Sequence, residues 1–128
     1  SKQTYPVGNI GDSGRLKEGM TVFFAGYPKP GSLNLGRTYT FLRAQITTLL
    51  KKNVRNGYSL GYDGFAIDGM SGGPVLNENG ELVAIHGATE IRMLTGASGN
   101  YGIASERFRN WQQEVRLASQ QIISRDPE

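Results

Sequence analysis

Apolar positions cluster in short runs along this chain, and each run is closed by residues that cannot extend it. Residues 20–26, Met-Thr-Val-Phe-Phe-Ala-Gly, stop at Tyr27-Pro28-Lys29-Pro30-Gly31. Two prolines and a glycine forbid continuation, so the pattern predicts a buried strand followed by a loop. From 39 to 50 the apolar residues alternate, first at Tyr39 and Phe41, then at Leu42, Ala44, Ile46, Thr48 and Leu50, with Arg43, Gln45 and Thr47 facing away. The change of phase at Phe41-Leu42 predicts a β-bulge, a device that bends strands where sheets curl into barrels.

Asn56-Gly57 marks a turn before a strand at 58–62, and Asn79-Gly80 separates strands at 74–77 and 81–88 as a hairpin. A last strand at 101–104 leads to Ser105, an expected N-cap. Phe108, Trp111, Val115, Ala118 and Ile122 then recur at helical spacing, and this face is expected to pack as core. The elements sum to about six antiparallel strands and one terminal helix, with no internal repeat and a polar tail at 124–128.

A chain of 128 residues accommodates one domain with one core. It has no cysteine and one histidine, which excludes disulfides and disfavours a structural zinc site. The net charge of +3 is scattered apart from Lys51-Lys52 and Arg55, so nucleic acid is not an expected partner. Arg43 interrupts the most apolar region, and no stretch approaches the roughly 20 residues a membrane-spanning helix needs. Membrane is therefore not an expected partner. The chain opens on Ser1 without a signal-type segment, the expectation for a mature or cut product. Eighteen glycines imply many turns, as short strands require.

Against that background Gly69-Met70-Ser71-Gly72-Gly73-Pro74 stands apart. A serine hydroxyl becomes a good nucleophile only when a base takes its proton, and the oxyanion that follows needs donors fixed in advance. Glycines at 69, 72 and 73 permit a sharp turn that aims the N–H groups of Gly69 and Ser71 at one point. The Gly-x-Ser-x-Gly core serves both trypsin-like barrels and the α/β-hydrolase elbow. An elbow turns directly into a helix, whereas residues 74–85 read as a hairpin. The single histidine, His86, follows the serine on a strand, and both order and placement oppose its use as the base. Asp63 and Asp68 precede glycines and read as turn formers. The pattern is that expected of half of an active site.

Residues 62–89 resemble the nucleophile region of trypsin-like (chymotrypsin-fold) serine peptidases, particularly bacterial ones without disulfides. Gly11-Asp12-Ser13, Leu16, Gly19 and residues 22–28 resemble the lead-in to the second barrel of HtrA-type peptidases, and residues 100–104 with the helix resemble its closing elements. The resemblance implies an all-β fold: a six-stranded antiparallel Greek-key barrel with a C-terminal helix, spanning 1–123. It implies Ser71 as nucleophile and the Gly69 and Ser71 N–H groups as oxyanion hole. Met70 replaces the aspartate that pairs with a new N-terminus in pancreatic enzymes, so activation by that salt bridge is not expected. A specificity pocket would be bordered by residues 65–68, Phe65 and Ala66 foremost, on one side and by His86, Gly87 and Ala88 on the other. Phe65 stands where trypsins carry aspartate, which argues against a basic preference.

Ile85-His86-Gly87 also resembles the segment of glutamyl endopeptidases in which a histidine recognises an acidic substrate side chain. The other reading is a histidine bonded to a neighbouring backbone group. The function implied is the nucleophile-bearing half of a trypsin-like endopeptidase, inactive as this chain alone because catalytic His and Asp are absent. The alternative is a catalytically inactive barrel that binds peptides or partners within a larger protein. Expected partners are a peptide or protein substrate and an N-terminal barrel carrying His and Asp. An apolar face left exposed where that barrel docks could drive dimerisation. No metal or cofactor is required, and the family resemblance leans towards a periplasmic or secreted location.

Overall fold

The computed structural model describes residues 3–31, 33, 36–50, 55–91 and 98–124. Strands β1 (Thr21–Gly26), β2 (Thr40–Leu49), β3 (Leu60–Tyr62), β4 (Pro74–Leu76), β5 (Leu82–Ile91) and β6 (Ser98–Ala104) precede helix α1 (Ser105–Ser124). All neighbouring strands are antiparallel and close into a barrel in the order β1-β2-β3-β6-β5-β4. Closure pairs β1 with β4 and so leaves no free sheet edge.

Period-2 alternation builds the interior. Val22 and Phe24 of β1 face inward beside Ala44 and Ile46 of β2, and Leu16, Leu60, Tyr62, Met70, Val75, Val83 and Ala84 complete the core. Phe24 is fully buried, and its ring centroid lies 5.3 Å from that of Tyr62. Truncating such a ring to alanine costs about 3–5 kcal/mol.

The bulge falls elsewhere than the alternation predicts. The β1–β2 register runs unbroken through Phe41 and Leu42, and the shift lies at Thr47, between the Ile46 and Thr48 pairings with β3. The physical reason is an aromatic pair on the outer surface: Phe41 stacks on Phe23 at 5.3 Å instead of entering the core. Asn79-Gly80 does make the β4–β5 turn, with Gly80 at φ 77°. Asn77 organises it, since its side-chain oxygen accepts from the Asn79 N–H at 3.0 Å and the Glu81 N–H at 2.9 Å. Lys51-Lys52 lie outside the described residues.

Helix α1 also departs from expectation. Phe108, Trp111, Val115 and Ile122 are exposed, and Ser105 is the buried residue of the helix, so the apolar face does not pack as core. The helix is held at its start by the segment before β1. Ile10 forms a parallel bridge to Leu82, with the Gly11 N–H bonded to the Leu82 carbonyl at 2.7 Å. Ser105 Oγ donates to the Gly11 carbonyl at 3.0 Å and is thereby occupied. The cap comes instead from Ser13, whose Oγ accepts from the Glu106 N–H at 2.9 Å.

Candidate active site

Residues 69–73 lead into β4, and their conformation depends on glycine. Gly69 has φ 96° and Gly72 φ 89°, in the left-handed region that side chains disfavour. Gly73 is needed for closeness: a Cβ there would lie 2.0 Å from the Ala25 carbonyl oxygen of β1. Met70 turns into the core while Ser71 is exposed. The Met70 N–H bonds to the Ile67 carbonyl, the Gly73 N–H to the Met70 carbonyl and the Gly72 N–H to the His86 carbonyl. Among the described residues, the N–H groups of Gly69 and Ser71 have no partner in the loop.

The loop is tied to β5 on three atoms. Gly72 donates to the His86 carbonyl at 2.7 Å, the His86 N–H donates to the Gly73 carbonyl at 2.8 Å, and Ser71 Oγ donates to the Gly87 carbonyl at 3.1 Å. Gly87 is the bulge in the β5–β6 pairing, where the register shifts between His86 and Ala88. It also lies against an aromatic ring, since a Cβ at 87 would fall 2.3 Å from a ring carbon of Tyr58. Ser71, Gly72 and Gly73 thus meet His86 and Gly87 at one place, although the serine hydroxyl bonds to backbone and not to the imidazole, while Gly69 lies against Lys29 and Arg37. Phe65 projects into solvent, and Ala66 packs against the core.

His86 is buried, 2 % exposed, and its Nδ1 is hydrogen-bonded to the Tyr62 hydroxyl. Phe24 stacks on the imidazole at 5.5 Å, and Tyr62 meets it edge-on at 5.8 Å. Burial disfavours the charged ring and lowers the His86 pKa below its ordinary 6.5. Burial also raises the Tyr62 phenol far above its ordinary 10.0, with the neighbouring Tyr58 adding to the shift.

Two residues that sequence reasoning passed over hold this arrangement. Tyr62 is one. The other is Asn100 of β6, fully buried, whose amide donates to the carbonyls of Asp63 at 2.8 Å and Gly64 at 3.0 Å while its oxygen accepts from Thr89 at 2.9 Å. Asn100 therefore joins the segment before Phe65 to the strand that carries His86. Its flanks, Gly99 and Tyr101, give no sequence signal of that role. Asp63 is a turn residue whose carboxylate accepts from the Gln45 N–H at 2.7 Å. Among the described residues, no three His, Asp or Glu side chains gather as metal ligands.

Residues 1–85 match the family model of the trypsin-like peptidase domain. The chain belongs to this family. That trypsin-like match includes residues 69–74 and ends one position before His86. Exfoliative toxin A of Staphylococcus aureus is 34% identical over 95 residues, which make up 73% of this chain and 30% of the toxin. An HtrA-type protease solved with a decapeptide shares the trypsin-like barrel at a TM-score of 0.62, with 21% identity, over 91% of this chain and 34% of its own. The chain thus spans about a third of the length of each relative, 30% and 34% respectively.

Proposed function

We propose that this barrel is the nucleophile-bearing, C-terminal half of a trypsin-like serine endopeptidase, residues 1–123 forming the barrel with α1 and 124–128 a tail. Ser71 Oγ attacks the scissile carbonyl carbon while its proton passes to a histidine, oriented by an aspartate, on the other barrel. The new oxyanion is bound by the Gly69 and Ser71 N–H groups. Collapse expels the amine, which takes the histidine's proton, and water then cleaves the acyl-enzyme. The observation that carries this reading is the selective use of donors in residues 69–73: three N–H groups are spent within the fold and the two required for an oxyanion are left over.

Phe65, Ala66, His86, Gly87 and Ala88 border the specificity site, and His86 recognises an acidic side chain of the substrate. The relatives' greater length supports a partner barrel that supplies the histidine and aspartate. This chain alone turns over little, because a general base contributes a factor of about 10²–10⁴. A fluorophosphonate probe tests the reading on this chain and on the longer protein that carries it, with Ser71→Ala as control. Labelling of Ser71 confined to the longer protein is the expected result. Labelling in neither form would reassign the barrel as a peptide-binding or interaction module.

A further inference from the structure

The chain has one histidine, and its ring is held from several sides. One face of the imidazole is stacked on Phe24, the Tyr62 ring closes an edge, and Nδ1 is bonded to the Tyr62 hydroxyl. Nε2 has no hydrogen-bond partner among the described residues. Yet no buried side-chain nitrogen or oxygen among them lacks a partner, so Nε2 keeps contact with solvent although the residue is nearly buried.

The hydrogen on that nitrogen follows from Tyr62. The phenol is fully buried, and among the described residues its oxygen has one bond, the bond to Nδ1. If Nδ1 carried the proton and donated to the phenol oxygen, the phenol's own hydrogen would be buried without an acceptor, at a cost of about 1–3 kcal/mol. If the phenol donates to Nδ1, every buried hydrogen has a partner, and the imidazole's remaining proton sits on Nε2. Desolvation keeps the ring neutral and so preserves this arrangement.

We infer that Tyr62 is a positioning residue for substrate specificity: its hydroxyl holds His86 in the Nε2–H form, so that one oriented N–H donor is offered to a carboxylate entering the site. This rests on the reading of His86 as the group that recognises an acidic substrate side chain. It adds that the donor is set from inside the barrel, by a residue substrate never touches. Tyr62 immediately precedes Asp63 and Gly64, the pair gripped by Asn100, so the element that orients the histidine also fixes one border of the site.

Two measurements test it. In this chain, ¹⁵N-labelled at its one histidine, long-range ¹H–¹⁵N correlation near neutral pH reads both ring nitrogens without ambiguity. The expected spectrum has the proton on Nε2 and a hydrogen-bonded acceptor at Nδ1, and Tyr62→Phe moves Nδ1 to the position of a free acceptor. A proton on Nδ1 in the unsubstituted chain, or an Nδ1 resonance indifferent to Tyr62→Phe, overturns the positioning role. The first of these needs no variant, so it stands even if Tyr62→Phe does not fold.

In the longer protein, peptides with Glu, Gln or Leu before the scissile bond give the second readout. Tyr62→Phe is expected to raise KM for the Glu peptide about tenfold, with kcat and the Leu peptide changed less than about twofold. Equal losses on all three peptides would reduce Tyr62 to a structural residue. No preference for Glu in the unsubstituted protein would instead defeat the recognition reading of His86, whatever the spectrum shows of its tautomer.

Discussion

Ser71 Oγ donates to the carbonyl of Gly87 at 3.1 Å, which ties the candidate nucleophile to the bulge in β5, the far border of the proposed specificity site. Because Ser71 is exposed, water replaces this bond when it is lost. Ser71→Ala should change the unfolding free energy of this chain by less than about 1 kcal/mol, measured by urea denaturation. A larger loss would make the serine a structural residue.

Gly73 has no such tolerance. Its would-be Cβ lies 2.0 Å from a β1 backbone oxygen, so Gly73→Ala must push β1 and residues 69–73 apart. We expect a loss of more than about 3 kcal/mol, or no folded protein, by circular dichroism and thermal melting. Gly72→Ala meets nothing within 4 Å and pays only for its positive φ, so it should cost about 1 kcal/mol. Similar melting points for the two variants would contradict the geometry.

Asn100→Ala leaves the Asp63 and Gly64 carbonyls and the Thr89 hydroxyl without their partner. A cost of about 2–4 kcal/mol should appear in denaturant unfolding. Amide exchange should quicken first around residues 63–66, the segment that Asn100 secures. Uniform acceleration across the barrel would argue against that local role.

The strands were largely legible because period-2 alternation reports burial directly, as at Val22, Phe24, Ala44 and Ile46. The misread bulge shows the limit of that signal: Phe41 is hydrophobic but pairs with Phe23 on the outside, and hydrophobicity alone carries no sidedness. The helix failed for the same reason, since its apolar stripe is real but faces solvent. The serine loop was legible because its glycines answer local steric needs. The roles of Tyr62 and Asn100 were not, because each partner is distant along the chain, 24 residues for Tyr62 and His86 and 37 for Asn100 and Asp63.

Stability should depend on pH through His86. Unfolded, its side chain titrates near 6.5, whereas burial lowers that value in the folded chain. As pH falls below about 6.5 the unfolded chain binds a proton that the folded chain refuses, so stability drops, by at most about 1.4 kcal/mol per pH unit. Above that value the contribution is complete and flat. Urea midpoints between about pH 5.5 and 7 should show this slope, and His86→Gln should remove most of it. A slope that survives the substitution would place its origin elsewhere.

The outer aromatics Phe23, Phe41, Tyr27 and Tyr39, two stacked and two edge-to-face, together with the exposed stripe of α1, form apolar surface that the proposed partner barrel would cover. Light scattering should find this chain self-associating at high concentration and the longer protein monomeric. A strictly monomeric chain would count against a docking face.

Asn100 reaches Asp63 and Gly64 on one side and Thr89 on the other, joining the two borders of the proposed specificity site from the barrel wall between them. In the proposed site a ligand therefore meets walls whose spacing was decided when the barrel closed. Discrimination in such a site is a matter of which side chain fits the gap on arrival, and association should proceed in one kinetic phase, without a slow rearrangement after encounter.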